Sequence, residues 1–132
     1  MHQEEKAIDA FSQFILWKPD SWAARNDKAW LQFRRGDIKG ALATIEPVAW
    51  NIENPWVQNT YGVLLMNTGD YINAKEVFMY AKMKVDFMTE ESWGAAYPGN
   101  DPRVYDTGLH AMSKSIDTNL ALIEKKLSSV HK

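Results

Sequence analysis

Cysteine is absent from the 132 residues, which excludes disulfides, thiolate metal ligands, iron–sulfur clusters and thiol nucleophiles. Histidine is scarce: His2, His110 and His131 are the full set, and two of them lie at the termini. Neither charge is in real excess, with 15 Lys and Arg against 17 Asp and Glu. A net charge of −2 argues against a strongly basic module, so no nucleic-acid partner is expected. Long apolar runs are missing too. Stretches such as Val63-Leu64-Leu65-Met66 fall far short of the ~20 residues of a membrane helix, and no membrane insertion is expected. The opening Met1-His2-Gln3-Glu4-Glu5-Lys6 is polar and acidic, unlike the basic start of a secretory signal. A cytoplasmic protein is the expectation.

What is present is ordinary in amount and unusual in kind. A hydrophobic share of 45% and a charged share of 24% suit a folded chain rather than a disordered one. The length suits a single domain over 1–132. Six Trp and six Met supply more large apolar surface than a minimal core needs.

The chain repeats itself. Gly36 of Arg35-Gly36-Asp37-Ile38 and Gly69 of Thr68-Gly69-Asp70-Tyr71 are 33 apart, 69 minus 36. Ala41 and Ala74 keep that offset, as do Asn26 and Asn59, and small residues recur at Ala29, Gly62 and Ala95. Gly tolerates the left-handed conformation that ends a helix, and Asp caps the next one. A helix that stops and restarts within two or three residues makes an antiparallel helical hairpin. In the second unit Ala74, Val77, Phe78 and Ala81 form one helical stripe, and Gly62 leaves room for a neighbouring helix. The fold class read from this pattern is all-α.

On these residues the chain resembles the tetratricopeptide repeat family. Tyr61-Gly62, Gly69-Asp70-Tyr71, Ala74, Phe78 and Ala81 follow that family's order of small, Gly, Tyr, Ala, Phe and Ala positions. The resemblance implies antiparallel helical hairpins stacked as a short right-handed α-solenoid. Residues 4–20 would be a half-repeat helix, 22–54 a first repeat, and 55–87 a second. Residues 88–131 would form a degenerate third repeat with a long C-terminal capping helix.

Two places depart from the pattern. Pro47 falls inside the helix that runs from Ile38 towards Asn51, where it removes an amide and predicts a kink or early break. The cluster Tyr97-Pro98-Gly99-Asn100-Asp101-Pro102 loses the register. There Asp101 is expected to cap a last helix with Pro102 at its first position. Along that helix Tyr105, Leu109, Met112, Ile116, Leu120, Ile123, Leu127 and Val130 step by three and four as an apolar seam. Such a seam either covers the last repeat or, coiled-coil-like, joins a second copy.

Little here suggests an enzyme. No Gly-rich phosphate loop, His-Glu-x-x-His run or calcium loop occurs, and no cofactor or metal is expected. Glu90 and Glu91 after Thr89 suit the acidic first turn of a capped helix. Arg34, Arg35 and Lys39 form a small basic cluster diluted by Asp27 and Asp37.

Stacked hairpins leave the first helix of each pair lining a concave surface. The resemblance places Asn26, Trp30, Phe33 and Arg34 there from the first repeat, and Asn59, Val63, Met66 and Asn67 from the second. Ser92 and Ala96 would follow from the third. Asn26, Asn59 and Ser92 would make a polar ladder for the backbone of an extended peptide, with Trp30, Phe33 and Met66 as apolar pockets. Trp17, Trp22, Trp50, Trp56 and Trp93 flank turns, where packing between repeats is their expected task. The function implied is a non-catalytic adaptor that binds a peptide segment of a protein partner. The alternative is self-association, as a homodimer or as part of a longer repeat superhelix.

Overall fold

The computed structural model describes residues 2–89, 91–93 and 108–130. Among the described residues the chain is helical and holds no strand. Its elements are α1 (His2–Trp17), α2 (Trp22–Arg34), α3 (Ile38–Ile45), a 3₁₀ turn (Glu46–Val48), α4 (Pro55–Asn67), α5 (Tyr71–Val85) and α6 (Gly108–Val130). Residues 91–93 are helical as well.

The boundaries follow from local chemistry. Side-chain oxygens of Ser21, Asp37, Asn54 and Asp70 accept from Ala24, Gly40, Val57 and Asn73 amides respectively, satisfying donors that a helix start leaves orphaned. The α2–α3 and α4–α5 turns are copies of one another. In each, the Gly amide bonds three residues back and the following Asp amide five residues back: Gly36 to Phe33 and Asp37 to Gln32, then Gly69 to Met66 and Asp70 to Leu65. This is the pairing that closes a helix on a left-handed residue. Gly36 and Gly69 accordingly sit at φ of 85° and 87°.

Pro47 breaks its helix as its missing amide requires. α3 stops at Ile45 after 8 residues, whereas α5 continues for 15. The chain passes through the 3₁₀ turn and then a loop before Asn54 and Pro55 begin α4.

Each helix packs chiefly on its neighbours in sequence, and α2 also meets α4 directly. The core is correspondingly two clusters in a row rather than one centre. Ala29, Ala41, Ile45, Val48, Val57 and Leu64 fill the first, between α2, α3 and α4. The second joins α4, α5 and α6 through residues that include Leu65, Val77, Phe78, Ala81, Ile116 and Ile123. Leu42 and Tyr61 touch both clusters. Where α4 crosses α5, a Cβ on Gly62 would lie 2.7 Å from the Phe78 ring, so glycine here is a requirement of close approach.

The apolar seam of α6 is used within the chain. Ile116 and Ile123 are fully buried, and Leu109, Met112, Leu120 and Leu127 pack around them. Two ion pairs fix the direction: Lys75 with Glu124, and Lys82 with Asp117 at 2.7 Å. As the α5 number rises by seven the α6 number falls by seven, so the helices are antiparallel. The hydrogen bond to Asp117 holds the Lys82 ammonium above its usual range, against a smaller lowering by burial. The expected cap at Asp101 and Pro102, the turn 97–102, Tyr105 and the side chain of Val130 lie outside the described residues.

Gly62→Ala is expected to lower stability by about 1–3 kcal/mol through overpacking against Phe78, measured by urea denaturation. Gly62→Ala with Phe78→Leu should cost less than the sum of the two single changes. Strict additivity would mean that the two residues do not share this contact.

Candidate binding groove

Asn26, Trp30 and Phe33 step by four and three along α2 and so share a face; Asn59, Val63 and Met66 do the same on α4. The two helices adjoin, and each carries three of these six residues. Their environments differ from one another more than their spacing implies.

Asn26 is not a groove amide. It is only 4% exposed, and its Oδ1 accepts from Thr60 Oγ1 at 2.5 Å, a hydrogen bond that ties α2 to α4. Buried polar groups find partners because leaving one unmade costs about 1–3 kcal/mol. Its sequence equivalent Asn59 is half-buried, yet its Oδ1 is enclosed and accepts no hydrogen bond among the described residues. Trp30 and Phe33 are half-buried and meet edge to face, their centroids 5.7 Å apart. Val63 and Met66 are partly buried against the cluster that α5 and α6 complete.

The remaining expected positions are committed locally. Arg34 is exposed and reaches Glu4 at 3.4 Å, while Arg35 reaches Glu5 at 2.9 Å. Both pairs brace α1 against the end of α2. Asn67 donates from Nδ2 to the Val63 carbonyl at 2.7 Å. Ser92 lies beyond the region, where its hydroxyl and the Thr89 hydroxyl accept reciprocally from each other's amides at 2.9 and 3.0 Å. That is the reciprocal closing of a helix start, and it leaves Ser92 no place in a ladder. Ala96 lies outside the described residues. Tyr61, between the two clusters, keeps its phenol protonated: burial raises its pKa, and Glu46 and Asp70 add to the effect.

The tryptophans divide into two groups. Trp22 stacks on Trp56 with centroids 5.5 Å apart, and Trp56 meets Trp93 at 5.8 Å. This column links the first turns of α2 and α4 to the helical residues 91–93. Trp17, the last residue of α1, and Trp50, in the turn after the 3₁₀ segment, behave otherwise, at 72% and 78% exposed.

Around Trp50 is a feature that no single motif marks. Two cavities of about 330 and 340 Å³ open at the turns between hairpins. Pro19, Asp20, Pro47, Trp50, Asn51 and Asn54 help to line the first. The second is lined by Ile52, Glu53, Tyr80, Met83, Lys84 and Phe87. Each residue of the second set lies 33 positions after one of the first, so the two hollows are equivalents under the offset already visible in the sequence. That offset, applied to Trp17, Trp50 and Met83, was the available signal.

Among the described residues no group of His, Asp or Glu could hold a metal ion, and no helix is long and apolar enough to cross a membrane. No family model, curated protein or solved structure matches the chain.

Thr60→Val removes the hydroxyl that satisfies Asn26 and should cost about 1–3 kcal/mol, whereas Thr60→Ser should retain most of the stability. Urea midpoints distinguish them. Equal loss in both variants would show that the Thr60 methyl, not the hydrogen bond, matters.

Proposed function

We propose that the chain is a non-catalytic protein-interaction module of tetratricopeptide type, which binds a peptide segment of a partner along the adjoining faces of α2 and α4. On this reading the hairpins stack as a short solenoid and α6 caps the last of them. The repeated Gly-Asp turns, the Trp22–Trp56–Trp93 column and the paired hollows one repeat apart support that arrangement.

The observation that carries the binding reading is Asn59. An enclosed amide oxygen without a donor is costly, so a change of the Asn59 rotamer that brings it to the surface would let the amide of a bound peptide backbone satisfy it. Trp30 and Phe33 stand on the neighbouring helix as a half-buried aromatic pair, Phe33 resting on the first core cluster, and aromatics are the kind of side chain that anchors interfaces. The binding set is therefore Trp30, Phe33, Asn59, Val63 and Met66. Asn26 acts beneath it as a positioning residue.

A displayed peptide library panned on the wild-type chain should yield enriched sequences that no longer bind when Trp30→Ala and Asn59→Ala are combined. Circular dichroism should show undiminished helix in that variant. Retention of the same peptides at equal affinity would refute the assignment.

A further inference from the structure

Large apolar side chains stand in a row along the turn edge of the molecule. Trp17, Trp50 and Met83 are 33 apart and are 72%, 78% and 62% exposed, and Phe87 beside the second hollow is 89% exposed. Trp50 lines one of two cavities and Ile52, Met83 and Phe87 line the other. An aromatic side chain carries roughly 150–250 Å², so Trp17, Trp50 and Phe87 alone present about 500 Å² of apolar surface. Exposed Ile52 and Met83 on the same edge add to this. The total approaches the ~800 Å² that each partner contributes to a standard interface and reaches the upper range of patches left bare on monomers.

We infer that this edge is a homodimer interface, in which the projecting Trp50 and Phe87 of one copy fill the hollows of a second copy. Three observations select a second copy as the occupant. The first is the area. The second is that Trp50 and Phe87 line the rims of the two hollows and are nevertheless 78% and 89% exposed, so one edge offers projections and hollows together and a twofold axis can set them against each other. The third is charge: Asp20, Glu53 and Lys84 line the hollows and form no ion pair among the described residues. An edge of a single sign would repel its own copy, whereas one that carries both signs can pair with itself. The seam of α6 is not the joining surface, because α5 occupies it. This inference is independent of the groove between α2 and α4.

Sedimentation velocity on the full chain over a concentration series tests it. A reversible monomer–dimer equilibrium is expected, and Trp50→Asp with Phe87→Asp should weaken it by at least about tenfold, as loss of interface anchors does. Both residues are exposed, so circular dichroism should remain that of the wild type. Trp30→Ala with Asn59→Ala should leave the dimer intact, which separates this interface from the groove. A monomer even at millimolar concentration would overturn the inference and leave the edge to a different protein. A dimer indifferent to the Trp50 and Phe87 changes would overturn it equally.

Discussion

The buried side-chain amide of Gln58 donates from Nε2 to the carbonyls of Ala49 and Asn51, at 2.9 and 3.1 Å. Those carbonyls lie just past the break that Pro47 imposes, where the helical ladder has ended and cannot satisfy them. Gln58, in the first turn of α4, supplies what the ladder no longer does. The loop is thereby held against the helix it precedes, and the second hairpin acquires a fixed seat on the first. Trp56 then lies on Trp22, Thr60 reaches Asn26, and Trp50 is left pointing outward. The placing of α4 on α2 and the turn edge both depend on this one clasp.

A second set of bonds fixes the other side of the same junction. Arg25 donates to the Pro19 carbonyl at 2.6 Å and to the Thr44 carbonyl at 3.0 Å, and Thr44 Oγ1 donates to Gln32 at 2.6 Å. The α1–α2 turn, the body of α2 and the end of α3 are joined by these side-chain bonds in addition to the apolar contact of Ala29, Ala41 and Ile45. α3 is short because of Pro47 and brings few large side chains to the core, so polar bonds take a share of the packing that α5 achieves with Val77, Phe78 and Val85.

Much of this was legible in the residues. Gly36-Asp37 and Gly69-Asp70 marked both turns because only a few residue types suit a left-handed stop followed by a cap. Pro47 marked the break, Gly62 the close approach, and the three-and-four stepping of Leu109 to Leu127 the buried face of α6. Partner choice was not legible. Asn26 and Asn59 are 33 apart, yet Thr60, 34 residues away from Asn26, takes one into the interior, while the Oδ1 of the other accepts no hydrogen bond among the described residues. Ser92 has the right spacing for a ladder but a nearer donor in the Thr89 turn. Spacing says which face a residue occupies; what covers that face depends on other helices. The exposure of Trp17 and Trp50 escaped for the same reason.

α1 stands apart from the other helices in what supports it. It packs on α2, braced by two exposed ion pairs to Arg34 and Arg35, and none of its described residues is fully buried. Elements with few buried contacts open locally at much lower free energy than the whole fold. Hydrogen exchange should therefore run as a gradient along the chain, fastest in α1 and slowest where α4 and α5 enclose Phe78. Each helix mostly contacts its neighbours in sequence, so the loops closed during folding are short and folding is correspondingly rapid. The molecule then behaves less like one cooperative block than like a stack whose first layer can lift while the rest stays closed.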